Sequence, residues 1–572
     1  MVPMLSVVRN QKFIIFFSAL IIRLLLNIAF LGSCDLLLAI DLFKDVCING
    51  FPYPQFVPYF PVMPLLLWLQ GLIAAMTNIP TNFWMKFFPT VFDACSAVLI
   101  FEILKKRGIQ KSFEVGLLYA FAPISLIVTS IHGQWDSLPL FFLAYSFYLR
   151  DFYQDSLMKY FLFGVSFALS FLLKPYTLLF IFFIFEPYKN VRQELGRIWN
   201  LIIWSIGFVG VEFLALFLLI KWYRFILLDV VLNPFFLYLN LVAIGFFFFY
   251  AIFLFYKNNF STLFKNYLLK ECIILLGLIS CISVFCIIFK ILGFNIIATA
   301  DTVLRHFNSG ASNFGVPFAL NQQGFFFLII KNRIWQVGFI LFLAYNYYRS
   351  KINVFEAIAI GFTFIFIFSA YSGPYLLWAF PFLFLMDNVL LLGLYNLIAG
   401  VFILLTYTYP LSHPAVPYLM GLALAPLKCC IWLQLPILFL HSAFSWIIPL
   451  LGNIGVPLLC AYVCIVLLKK TVFNAQRIDT EKLVQLPLSA TWPLVFIASL
   501  IGIFFVFYFT LNREVLTISN DFYNFYAFST VEGRPCATYG GTFVLNIGYL
   551  FLTLIVGWTI AACYIHFSSE KV

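Results

Sequence analysis

Residues 113–149 read FEVGLLYAFAPISLIVTSI, then HGQWDS, then LPLFFLAYSFYL. Two almost wholly apolar runs, 113–131 and 138–149, enclose His132-Gly133-Gln134-Trp135-Asp136-Ser137. An apolar run of the first kind is long enough to cross hydrocarbon, and only a helix satisfies its own backbone groups there. The enclosed histidine, amide, indole and carboxylate are costly in lipid unless they face a cavity or a partner. They form either a functional site or an interfacial hairpin anchored by its tryptophan.

The same alternation runs through the chain. Its 572 residues are 63% hydrophobic and 10% charged, with a mean hydropathy of +1.01. No soluble domain can bury that much apolar surface, so the solvent is a bilayer. The fold class that follows is an all-α polytopic membrane protein of roughly 12–16 transmembrane helices. The 75 phenylalanines are read as codon bias. The net charge of +11 sits in short clusters between apolar runs, as in cytoplasmic loops, and implies no nucleic-acid partner. Most of the 12 cysteines lie in apolar spans, where a thiol is a small hydrophobe. No Cys/His pattern has metal-ligand spacing, and no metal is expected. Cys34 and Cys47 share one outer loop, where an oxidising compartment would permit their pairing.

The basic clusters set the sides. Arg9 and Lys12 put the N-terminus inside, on an uncleaved first span over about 12–32. Lys105-Lys106-Arg107 is inside again if 87–104 spans and the proline-flanked run 62–77 lies along the outer surface. Residues 113–131 then return outward and place His132–Ser137 on the outer face. Arg150, Lys159, Lys189, Arg192 and Arg197 fall inside, which requires a hairpin over 159–187 that turns outside at Lys174-Pro175. Further spans are read at 198–220, 234–256, 268–293, 323–347 and 353–371, and a final one near 543–564. Both termini are inside.

Carboxylates, histidines and tyrosines thereby gather on the outer face. Asp35 stands just beyond the first span, where partial desolvation raises a carboxyl pKa and makes a better base. Asp41 and Asp45 read as loop solvation. Asp93 lies inside the apolar run 87–104 and is either a second site acid or a structural hydrogen-bond anchor. Lys174 is placed to meet a phosphate or to snorkel to headgroups. The loop 301–321 carries Arg305-His306, a cationic pair suited to an anionic leaving group, followed by the hydrogen-bonding run Asn308–Asn313. Tyr375 and Trp378 are belt anchors or a stacking platform for a sugar ring.

These motifs, in this order, resemble the GT-C superfamily of polytopic glycosyltransferases. The resemblance rests on Gly32-Ser33-Cys34-Asp35, Gly50-Phe51-Pro52-Tyr53, Tyr59-Phe60-Pro61, Phe92-Asp93-Ala94, Gly133–Ser137, Leu173-Lys174-Pro175 and Tyr375–Pro381. It covers about residues 10–385 and is closest to polyprenyl-phosphate-sugar-dependent mannosyl- and glucosyltransferases, bacterial ones included. It implies a GT-C-like bundle with surface helices in the first outer loop. It also implies a catalytic module over 1–387, and additional C-terminal helices of unknown role over 388–572.

The implied activity is inverting transfer of a hexose from a polyprenyl-phosphate donor to a lipid-linked or glycan acceptor. Asp35 is then the general base, and Arg305, His306 and Lys174 stabilise the departing phosphate. Asp93, His132, Gln134, Trp135, Asp136, Asn308, Tyr375 and Trp378 hold substrate. The Asp-x-Asp pair of well-known members is missing, since Asp35 is followed by leucines, so no cofactor or divalent metal is expected. The bacterial cytoplasmic membrane is the favoured location, the endoplasmic reticulum its eukaryotic equivalent. A transporter or flippase of lipid-linked sugars is the rival function; Asp93 and Glu212 would be its midplane charges. A non-catalytic subunit of a glycan-assembly complex is a third.

Overall fold

The structure, a computed structural model, describes residues 2–29, 62–77, 81–185, 262–291, 334–369, 371, 373–386, 388–408, 450–473, 530–531, 534–535 and 554–562. Asp35, Arg305, His306, Asn308, the Cys34/Cys47 pair and the spans 198–220 and 234–256 lie outside the described residues. Two compact units emerge, Met1–Ile184 with Gly277–Val572, and Phe185–Leu276. The first carries the expected outer-face motifs that are described.

The described chain is helical apart from a two-residue antiparallel ladder, Thr530–Val531 with Arg534–Pro535. Helix α1 covers Val2–Ala29, α2 Val62–Met76, α3 Thr81–Lys106 and α4 Ser112–Ala120. A turn at Pro123–Ser125 leads into a π-helical segment, Leu126–Ile131. Helices α5 (Ser137–Phe152) and α6 (Leu157–Leu173) follow, then a 3-10 helix over Pro175–Phe183. Beyond them come α7 (Thr262–Ile291), α8 (Ile334–Tyr348), α9 (Val354–Phe368), α10 (Val389–Thr408) and α11 (Val456–Leu468). Among the described residues, five helical stretches are long and apolar enough to cross a membrane: 10–27, 83–106, 112–131, 269–288 and 451–471.

Local sequence sets several boundaries. The Ser156 hydroxyl accepts from the Lys159 amide and caps α6. Asn353 and Glu356 form a reciprocal capping box on α9, with the Glu356 amide at 3.0 Å from Asn353 Oδ1. Helix α6 ends at Lys174 because Pro175 excludes a helical residue before it, and the chain restarts as the 3-10 segment.

Helix α3 is the spine of the N-terminal bundle, with α1, α2, α4 and α5 packed on it. At one end Lys12 pairs with Glu102 at 2.9 Å, and Arg107 donates to Leu385 O and Asn353 Oδ1. Near the other end Lys86 donates to Asn27 O and Ser130 O. From Lys86 to Glu102 the helix rises roughly 24 Å at 1.5 Å per residue, close to the hydrocarbon thickness.

Helix α6 lies against α5, and α9 against α11. The α6–α7 crossing is close: a Cβ on Gly277 would collide with the Phe161 carbonyl oxygen. Small residues serve such crossings in membranes because they let backbones touch. Packing also runs across the expected division at 387/388. The Trp558 indole donates to Leu118 O at 2.8 Å, and Asn396 Nδ2 reaches Ile555 O.

Candidate functional site

Two buried polar centres stand along the spine. The lower one is built on Asp93, which is fully buried. Arg23 Nε donates to its Oδ2 at 2.7 Å, and the Tyr119 hydroxyl donates to Oδ1 at 2.7 Å. Ser125 and Thr129 also donate to Oδ2. Arg23 in turn donates to Ala19 O, Ala120 O and Ser125 Oγ. An ion pair in hydrocarbon persists only when its remaining donors and acceptors are satisfied, as here. Of the two roles open to Asp93, this geometry is that of the structural anchor joining α1, α3 and the Ser112–Ile131 span.

The anchor leads directly to the upper centre. Asp93 holds Ser125 and Thr129, which flank the start of the π segment. Wider π turns are enriched at functional sites because they re-aim the residues that follow. Here the turn closes with the His132 amide on Ile127 O at 2.8 Å and the Gln134 amide on Val128 O at 3.0 Å. Gly133 then adopts φ +82°, a left-handed conformation that favours glycine. Ser137 Oγ donates to Pro89 O at 2.9 Å, so His132–Ser137 is clamped to α3 from both sides.

Asp136 is the hub of that centre and is fully buried. Its Oδ1 accepts from Lys174 Nζ at 2.7 Å, from the Trp378 indole at 2.9 Å and from the Tyr176 hydroxyl at 3.3 Å. Its Oδ2 is buried and has no hydrogen-bond partner among the described residues. The Trp378 ring stacks with Tyr176 (centroids 3.7 Å, 18° apart) and with Tyr375 (4.6 Å, 26°). Two rings that close to one indole must lie on opposite faces. Trp378 therefore offers no open face to a sugar ring; it is a wall post fixed by its N–H.

The other motif residues sort by exposure. Lys174, Gln134 and Tyr375 are half-buried, whereas Asp136 and Trp378 are buried. His132 is buried; loss of hydration, and secondarily the charge of Lys174, push its pKa down to about 3. It is therefore neutral at physiological pH. Trp135 packs into an apolar cluster with Met85, Leu138, Ala168, Leu172, Leu173 and Cys281 beneath the centre.

The structure thus brings together Asp136, Lys174, Tyr375 and Trp378, with His132 close to Lys174. It sets Asp93 apart, in its own ion pair. Three participants carried no weight in the sequence reading: Arg23, Lys86 and Tyr176. Arg23 and Lys86 were visible as cations within apolar stretches, the same signal that singled out Asp93. Tyr176 follows Lys174-Pro175 directly. The chain matches no family model, and no curated protein or solved structure gives a match.

Proposed function

We propose that the chain is an integral-membrane inverting hexosyltransferase. It moves mannose or glucose from a polyprenyl-phosphate donor to a lipid-linked or glycan acceptor at the outer or lumenal face. The observation that carries this reading is the convergence on Asp136. Lys174 and Trp378 come from motifs 38 and 242 residues away, and both bond the carboxylate of the His132–Ser137 motif. Motifs that resemble one enzyme superfamily in order also meet in space, as parts of a single site do.

In the proposed reaction the Asp35 carboxylate takes the proton of an acceptor hydroxyl as that oxygen attacks the anomeric carbon. The bond from anomeric carbon to phosphate oxygen breaks, and polyprenyl phosphate departs with the electron pair. Opposite-face attack inverts the anomeric centre. Arg305 and His306 meet the charge of the departing phosphate. Lys174 contributes less to that task than the resemblance implies, because its ammonium is already paired with Asp136. The rival transporter reading needs polar groups at the midplane that change partners. The Arg23–Asp93 centre, closed by six further hydrogen bonds from Tyr119, Ser125, Thr129 and Arg23, suits a fixed anchor better.

The test is transfer of labelled hexose from polyprenyl-phosphate mannose or glucose by membranes carrying the protein. A general base contributes roughly 100- to 10,000-fold, so Asp35→Asn should lower the rate by that order. Full transfer by Asp35→Asn would remove the base assignment.

A further inference from the structure

The Asp136 centre has an acceptor left over. Of the carboxylate's two oxygens, Oδ1 takes three donors while Oδ2, equally buried, takes none among the described residues. A buried carboxylate oxygen without a donor is costly, and a ligand that brings one is favoured by that cost. Lys174 has three ammonium donors; one is given to Asp136, and its side chain is 16% exposed against 0% for Asp136. A hidden acceptor thus stands beside a cation that reaches the surface.

Charge decides which ligand fits. Asp136 and Lys174 neutralise one another across 2.7 Å, and the neighbouring His132 is uncharged. An anionic phosphate would meet the Asp136 carboxylate with only a paired ammonium to offset it. A neutral polyol meets no such conflict: one hydroxyl donates to Oδ2, and its neighbour accepts from Lys174. A side-by-side acceptor and donor match two adjacent hydroxyls of a pyranose ring, each bond polarising the next.

We infer that Asp136 and Lys174 form a recognition site for adjacent hydroxyls of a hexose ring, and not a phosphate clamp. The inference deepens the glycosyltransferase reading and rests on it for the ligand class. The hexose belongs either to the donor or to the acceptor; the chemistry at Asp136 is the same in both.

The experiment measures equilibrium binding to the full-length protein in lipid nanodiscs. The probes are short-chain polyprenyl-phosphate mannose, the glucose analogue, the bare polyprenyl phosphate, and octyl mannoside and glucoside as acceptor mimics. In Asp136→Asn, affinity for at least one sugar-bearing probe should fall roughly ten- to hundredfold, the range for a hydrogen bond to a charged group. Affinity for the bare lipid phosphate should not fall, since no phosphate is held through Asp136. Whichever probe loses affinity identifies donor or acceptor.

A monodeoxy series of that probe on the unaltered protein needs no variant to fold. One deoxy position should reproduce the loss, and the same deoxy change should cost nothing further in Asp136→Asn. Weakened binding of the bare phosphate, an unchanged sugar affinity, no sugar-probe binding at all, or equal affinities across the deoxy series would each overturn the inference. Turnover measured on the same nanodiscs reports separately on the proposed reaction. Hydroxyl-dependent binding without transfer removes the enzyme and keeps the site; transfer with no Asp136 dependence does the reverse.

Discussion

Removing the charge of Asp93 should expose how much of this bundle hangs on one ion pair. In Asp93→Asn the side-chain volume is kept, but the Arg23 guanidinium, fully buried, loses its only counter-ion among the described residues. Deleting one member of a buried pair typically destabilises by about 3–5 kcal/mol, because the surviving charge stays desolvated. Arg23→Met should fall in the same range, now leaving the carboxylate uncompensated. Joint replacement, Arg23→Met with Asp93→Leu, removes both charges, and such swaps alone run from neutral to about 4 kcal/mol stabilising. Against that gain, Tyr119 and Ser125 lose the acceptor they share, at about 1–3 kcal/mol each. At the middle of each range the double variant loses about 2 kcal/mol against about 4 for each single, a coupling of about 6 kcal/mol. Reversible unfolding in mixed detergent micelles gives these differences. Singles within about 0.5 kcal/mol of the parent, or a strictly additive double, would refute the anchor. Sugar transfer per folded molecule adds a second readout: the double variant should retain it, since both Asp93 oxygens are buried and engaged by protein donors.

Two further expectations follow from single residues. His132 has a pKa of about 3 in the folded protein against 6.5 for the free side chain, so between those values the unfolded chain binds a proton that the folded one does not. Stability is then full above about pH 6.5 and falls on acidification by about 1.4 kcal/mol per pH unit, near 2 kcal/mol lost at pH 5. His132→Gln should flatten that slope, and identical slopes for the two proteins would contradict the buried neutral imidazole. Gly277→Ala drives a methyl group into the Phe161 carbonyl oxygen, so α6 and α7 must separate; overpacking of this kind costs about 1–3 kcal/mol. An alanine variant that unfolds with the parent would show that this crossing is looser than described.

The sequence displayed some of this plainly and hid the rest for identifiable reasons. The apolar run 113–131 and the cationic end of α3 at Lys105-Lys106 were readable because membrane thickness and the positive-inside rule act locally. The break at Lys174 was readable from Pro175 alone. The demand for a partner was also visible in Asp93, because an isolated carboxylate in an apolar run is untenable. Its partner was harder to name. Arg23 stands 70 residues away on a helix whose rotation is set by packing, and a lone arginine within a span passes easily for a boundary residue. The Asp136 hub shows the same limit. Each of its donors was singled out or adjoined a residue that was, but pairing Trp378 with Asp136 depends on how helices 242 residues apart settle together. The role of Trp378 turned on the same packing: only the stack shows that Tyr176 and Tyr375 occupy both faces of its indole.

Purified protein in nanodiscs, supplied with doubly labelled polyprenyl-phosphate hexose and a membrane glycolipid fraction, tests the proposed reaction most directly. The account predicts that the sugar label leaves the polyprenyl phosphate and appears in a new glycoside whose anomeric configuration, read by NMR, is inverted. Movement of both labels together across the bilayer, with the donor intact, would contradict it.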